Sequence, residues 1–182
     1  MLETRLQETG YAALFLLGEA SAFWQNGAHQ QQLEEIAYSE QAPPRARFLA
    51  AEILRTNGIS LQPRLAQLYA LALRHSAEEQ TDHWQINANS WAELFDDTDT
   101  GPLGNQLIAF GTAAIPHLQP LLNDNNVVLY DGSEEATLGN AGRYRVKDFA
   151  AWFISRIMHI PFHLPHTHTE RDLVIDQLKT SL

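Results

Sequence analysis

Imidazole groups that could bind a metal are concentrated near the C-terminal end of the chain, at His159, His163, His166 and His168. Neutral imidazoles and carboxylates are good ligands for zinc and other transition metals. His166 and His168 could bind one ion together in an extended stretch, and His163 is the third candidate ligand. The spacing matches no zinc signature such as His-Glu-x-x-His. The alternative is a proline-broken surface loop whose histidines only cap and pack.

A second segment, Tyr130 to Glu135, combines acidic and hydroxyl groups beside a glycine. It lacks the alternating oxygen ligands and the glycine position of an EF-hand, which argues against calcium. Long structured loops in compact helical domains are often functional, so a structural or partner-contact role is favoured. The residues expected to contact a partner are Tyr130, Asp131, Glu134 and Glu135. Ser133 and the two glutamates after it could instead cap a short helix.

Motifs of other reaction classes are missing from the sequence. It has no Gly-x-Ser-x-Gly elbow and no glycine-rich phosphate loop. It also has no cysteine, which removes disulfides, thiolate nucleophiles and cysteine-based zinc sites. Asp96, Asp97 and Asp99 could bind a hard cation, but a solvated turn is the favoured interpretation. We therefore predict no catalytic residue, and zinc at the histidines as the only alternative to a chain without a cofactor.

Most aromatic residues stand at helical spacing, where core packing is the default interpretation. Trp84 and Trp91 differ, because they lie in the more polar and less regular stretch from about residue 76 to 101. They are the best aromatic candidates for an exposed contact surface, on which they would anchor a partner protein.

Composition points to a helical domain with a substantial core. The 182 residues suit one domain, taken as residues 1–182, and 45% of them are hydrophobic. Leu and Ala dominate the apolar residues, and β-branched residues are sparse, which favours helix over strand.

The charge balance restricts the class of partner. The formal net charge is -10, from 22 acidic and 12 Lys or Arg residues. Nucleic-acid binding needs Lys and Arg at the phosphates, so neither nucleic acid nor an anionic membrane surface is an expected partner. A protein with a basic surface fits better.

Hydrophobic periodicity predicts helices along most of the chain. The predicted helices are Leu2 to Gln25, Gln30 to Tyr38, Pro44 to Thr56, one with Pro63 in its first turn, Pro102 to Phe110, Ala113 to Leu122, Tyr144 to Met158, and a last one capped by Thr169. Pro120 should kink or restart its helix, because an interior proline costs about 3 kcal/mol. Val127 to Tyr130 is read as an extended part of a long loop that ends near Gly142.

Two stretches carry a recognisable pattern. Ile115 to Asp124 has an apolar residue, a proline and a Leu-rich stretch that ends in Asp, and Val146-Lys147-Asp148 with Ala150-Ala151 follows. Arg45-Ala46-Arg47-Phe48 begins a similar second element. This pattern resembles HEAT repeats, although about twenty residues separate the paired helices where a short turn is usual. The resemblance implies stacked antiparallel helical hairpins in an α-α superhelix, and a protein-binding scaffold. A globular helical bundle with one or two such hairpins is the alternative.

The N-terminal apolar run, Tyr11 to Leu17, is short and flanked by acidic residues. It is a poor signal peptide and too short to span a bilayer. We therefore expect a soluble, cytoplasmic protein. The alternative is an exported protein whose signal segment lies outside this sequence.

The residues thus leave two functional hypotheses of different classes. The favoured one is a non-catalytic helical scaffold or adaptor module that binds another protein. The other is a metal-binding protein or metal-dependent enzyme that uses the C-terminal histidines. The oligomeric state is left open by the sequence.

Overall fold

The computed structural model describes residues 1–79, 82, 84–96 and 99–182, and in this range the side chain of Glu135 is not described. These residues form α-helices joined by loops and short 3₁₀ turns, with no β-strand among them and two isolated β-bridges. The predicted all-α class is therefore confirmed. The helices are α1 (Leu2–Glu8), α2 (Tyr11–Phe15), α3 (Ala20–Trp24), α4 (Gln30–Tyr38), α5 (Pro44–Thr56), α6 (Ala66–Arg74), α7 (Pro102–Ala109), α8 (Ile115–Leu118), α9 (Ser133–Gly142), α10 (Val146–Met158) and α11 (His168–Lys179).

The N-terminal region is three short helices, and the prediction of one long helix there is wrong. Gly10 ends the first segment with an extended backbone, and Gly18 adopts a left-handed φ of 83° between α2 and α3. A Cβ at Gly10 would lie 1.9 Å from Oε1 of Gln85, so the end of that exposed side chain would have to move. Helix α2 begins beside Trp84, whose carbonyl oxygen accepts a hydrogen bond from the Tyr11 N–H at 3.2 Å.

Helix α5 is the centre of the N-terminal half. Its bounds agree with the prediction, because Pro44 occupies the first turn and Asn57 and Gly58 end the helix. It packs against α1, α3, α4 and α6. Every residue from Ala46 to Leu54 is buried, and this run includes the charged residues Arg47 and Glu52.

Helix α10 has the same position in the C-terminal half, where it packs against α7, α8 and α11. It begins at Val146, two residues later than predicted. Arg145 closes the first turn, since its backbone N–H donates to Asp148 Oδ2 at 2.8 Å. The preceding Tyr144 is extended, and its carbonyl oxygen accepts from the Val128 N–H.

Of two predictions about the connecting segments, one is confirmed and the other is wrong in part. The predicted interruption at Pro120 is confirmed, because α8 ends at Leu118 and a 3₁₀ turn, Gln119–Asn123, follows. The predicted long loop to Gly142 is wrong in its second part, since the chain from Ser133 to Gly142 is α9.

One cluster of buried hydrophobic residues extends from Leu6 to Leu178 and joins the two halves. A continuous core is what a single domain requires. Of the described helices, none is long and apolar enough to cross a membrane. The stacking of hairpins into a superhelix stays a prediction.

Candidate functional site

The three predicted zinc ligands lie in and just before the start of α11. His163 is exposed and lines a cavity of about 220 Å³, while His168 Nε2 lies 3.0 Å from the Arg143 carbonyl oxygen. The carbonyl oxygen of His166 accepts a hydrogen bond from Arg171. Within the described part of the chain, no three His, Asp or Glu residues form a group that could hold a metal ion. Zinc binding by these histidines stays a prediction.

The prediction that Trp84 and Trp91 form an exposed contact surface is wrong. Their exposed fractions are 2% and 0%. The Trp84 ring stacks on His75 with 4.8 Å between ring centroids, and the Trp91 Nε1–H donates to Ser76 Oγ at 2.9 Å. The polar composition of the surrounding segment suggested exposure, but each indole is covered by the helices on which that segment packs.

The predicted contact residues between positions 130 and 135 differ in their exposure. Tyr130 is buried, since its hydroxyl donates to the Ala92 carbonyl oxygen and accepts from the Leu94 N–H, so it is not the exposed contact that we predicted. Asp131 and Glu134 are exposed. The side chain of Glu135 and the whole of Asp97 lie outside the described residues.

Asp131 belongs to a groove that the sequence did not reveal, formed by two adjacent cavities of about 530 and 310 Å³. The cavities share Leu16, Asn87 and Asp131. The larger cavity is also lined by Tyr11, Phe15, Arg55, Thr56, Asn89, Ser90, Pro102 and Gly132. The smaller one is also lined by Ala12, Ser76, Glu78, Gln85, Ile86, Leu129 and Tyr130. We call this surface the α2 groove.

A buried polar cluster lies behind the larger cavity. Glu52, which has no exposed surface, accepts hydrogen bonds from Nε and Nη2 of Arg55 at 2.7 and 2.8 Å. The Tyr69 hydroxyl donates to the same carboxylate. Arg55 keeps 23% of its side chain exposed and faces the groove. The cluster thus holds one guanidinium in a fixed position between the core and the cavity.

Burial governs ionisation in this cluster. Burial, reinforced by the Glu52 carboxylate, raises the pKa of the Tyr11 and Tyr69 hydroxyls well above the usual range. Hydrogen bonding to Glu52 raises the pKa of Arg55. Both phenols therefore stay neutral and Arg55 stays charged wherever the fold persists. The wall of the groove therefore includes a permanent guanidinium, which is paired with the buried carboxylate of Glu52.

Side-chain amides hold the loop segments that line the groove. Asn87 Oδ1 accepts from the N–H and the hydroxyl of Ser90, and Asn89 Oδ1 accepts from the Asp131 N–H at 2.9 Å. Asn140 on α9 bonds both the N–H and the carbonyl oxygen of Tyr130. These bonds fix two loop segments against each other, so the groove has a defined shape.

A second buried charge cluster joins α10 and α11, away from the groove. Asp148 accepts from Arg145 at 2.9 Å and lies 3.5 Å from Arg171. The Arg171 guanidinium also donates to three backbone carbonyl oxygens. These partners satisfy the cluster internally, so we interpret it as structural.

Sequence reasoning missed Glu52, Arg55 and Tyr11. One signal was present: Glu52 falls on the apolar stripe of its helix, four residues after Phe48. A carboxylate in that position is buried and therefore needs a partner. The identity of the partners depends on tertiary packing.

Comparison with protein-family models, with curated proteins and with solved structures gave no match. The resemblance to HEAT repeats is therefore untested.

Proposed function

We propose that this chain is a protein-binding module that takes a segment of a partner protein in the α2 groove. The observation that carries the proposal is the position of Leu16, which is 57% exposed and lines both cavities. Leu17 beside it is 77% exposed. Exposed apolar side chains at the rim of a groove mark surfaces where burial by a partner is favourable.

The size of the groove supports a peptide segment as the occupant. Cavities of 300–1,000 Å³ are typical of sites that bury small ligands or a few side chains. The two cavities share residues, so they can take successive side chains of one extended segment.

Charge complementarity favours a basic partner. Asp131 lies where the cavities meet, and the exposed Glu78 lines the smaller one. The net charge of -10 adds a long-range attraction for cationic partners. The partner segment therefore combines apolar anchors with Lys or Arg.

Selection from a random peptide library with free C-termini tests this proposal. We expect enrichment of peptides that carry apolar residues and Lys or Arg. Leu16→Glu should weaken the binding of the selected peptides by about tenfold or more, since it places a charge at the apolar rim. Binding would be followed by fluorescence polarisation.

Leu173→Glu is the matched control, because Leu173 on α11 is 60% exposed and does not line the groove. It should leave the affinity unchanged. Failure to enrich any peptide family, or an equal loss in both variants, would overturn the proposal.

A further inference from the structure

We infer that the α2 groove recognises a free C-terminal carboxylate on an apolar last residue, with a basic residue upstream. This inference rests on the proposed function and specifies which peptide segment the groove takes.

Arg55 provides the donors for the carboxylate. Its guanidinium has five N–H groups, and two of them bond Glu52. Among the described residues, no protein oxygen accepts from Nη1, and the side chain lines the larger cavity. The outward donors are therefore available to a ligand, and a carboxylate matches the fork geometry of a guanidinium.

Glu52 prepares Arg55 for this contact and does not block it. The carboxylate of Glu52 has no exposed surface and bonds the inner edge of the guanidinium. A ligand meets the outer edge. Because the side chain is already held in one orientation, binding costs less rotamer entropy than at a free surface arginine.

A second side chain with donor groups, that of Asn89, lines the same cavity. Asn89 Oδ1 accepts from the Asp131 N–H, so the amide NH₂ of Asn89 is directed away from that bond. Asn89 lines the larger cavity with Arg55. A guanidinium and a neutral amide together can donate several hydrogen bonds to one carboxylate.

The surroundings of Arg55 distinguish a C-terminus from an acidic side chain. Tyr11, Phe15, Leu16 and Pro102 provide the apolar part of the lining of the larger cavity, beside the polar residues Thr56, Asn87, Ser90 and Asp131. An apolar C-terminal residue carries its carboxylate and its side chain on the same Cα, so one residue can satisfy both features. An internal Asp or Glu has no apolar group to place there.

Charge sets the direction of the chain. Glu78 lines only the smaller cavity, which Arg55 does not line, and Asp131 lines both cavities. A carboxylate at Arg55 places the upstream residues near these acids. A Lys or Arg there gains attraction, whereas an upstream acid is repelled.

The test uses the peptides selected by the library experiment, synthesised as free acids and as C-terminal amides. The wild-type chain should bind the acid about 10- to 100-fold more tightly, which is the range for hydrogen bonds to a charged group. Asn89→Ala should lower the affinity for the free-acid peptide by a few-fold and leave the affinity for the amide peptide unchanged. A C-terminally amidated peptide that carries a Glu side chain next to its end should bind no more tightly than the other amide peptides.

Arg55→Gln should remove the difference between acid and amide, with Arg64→Gln as the control, since Arg64 is exposed and does not line the groove. The comparison within the wild-type chain needs no variant, so it remains decisive if Arg55→Gln fails to fold. Equal affinities of acid and amide would overturn the inference and leave the proposed function intact. If the library yields no binder, both fail.

Discussion

At the scale of the residue, Glu52 holds Arg55 in place at the wall of the groove. A buried carboxylate is stable only when cations and donors replace the water it has lost. Arg55 and Tyr69 do so here. Arg55 still reaches solvent, whereas Glu52 does not. Removal of Arg55 therefore leaves a buried charge, whereas removal of Glu52 leaves a charge that can reach solvent.

This asymmetry gives a prediction for stability. Arg55→Gln leaves a buried carboxylate without its cation and should lower the free energy of unfolding by about 3 kcal/mol. Glu52→Gln leaves a guanidinium that can rotate into water, so its cost should be smaller. Urea denaturation monitored by circular dichroism measures both. A larger loss for Glu52→Gln would contradict this account of the pair.

The ion pairs of Asp172 give a prediction for pH. Burial opposes ionisation of Asp172, but the cations of Lys147 and Arg145, each 2.8 Å from Oδ1, outweigh it and lower the pKa of Asp172. A lowered folded-state pKa stabilises the protein above the unfolded pKa of about 3.9. That stability is lost as the pH falls through the folded-state pKa.

Asp172→Asn should therefore reduce the drop in melting temperature between pH 7 and pH 3. The effect is modest because Asp172 is 43% exposed and salt screens it. Asp176→Asn is the control, since Asp176 is 69% exposed and pairs only with Lys179 among the described residues. A drop in Asp172→Asn as large as in the wild type would exclude this role.

At the scale of the element, sequence patterns predicted most helices and failed at specific residues. The bounds of α5 follow from Pro44 and from Asn57-Gly58, which are local signals. The first predicted helix is broken at Gly10 and Gly18, where an extended backbone and a left-handed φ interrupt the apolar periodicity. Local signals therefore predict an element reliably only where tertiary contacts do not compete with them.

The start of α11 tests one such correction. The sequence suggested Thr169 as the cap, but Thr167 Oγ1 accepts from the Glu170 N–H at 3.3 Å and donates to its carboxylate at 2.6 Å. Thr167→Ala should cost about 1 kcal/mol of stability. Thr169→Ala should change little, because Thr169 lies inside the first turn. Thermal denaturation of the two variants measures both effects. A larger loss of stability in Thr169→Ala would show that Thr169 is the cap.

At the scale of the whole molecule, the all-α class could be predicted from the sequence, because composition and helical periodicity report on burial. The groove could not. Tyr11, Arg55, Asn89 and Asp131 lie on four separate segments, and only the packing of α2 and α5 with the two loops brings them together. Trp84 and Trp91 show the converse error, since local polarity gave no sign of the helices that cover them.

The central claim is that the α2 groove is the binding surface. The most direct measurement records backbone amide chemical shifts of the ¹⁵N-labelled chain during titration with a selected peptide. We predict the largest changes at Ala12, Leu16, Asn87, Ser90 and Asp131, with little change along α11. Largest changes on α11 or around His163 to His168, with an unperturbed groove, would contradict the account.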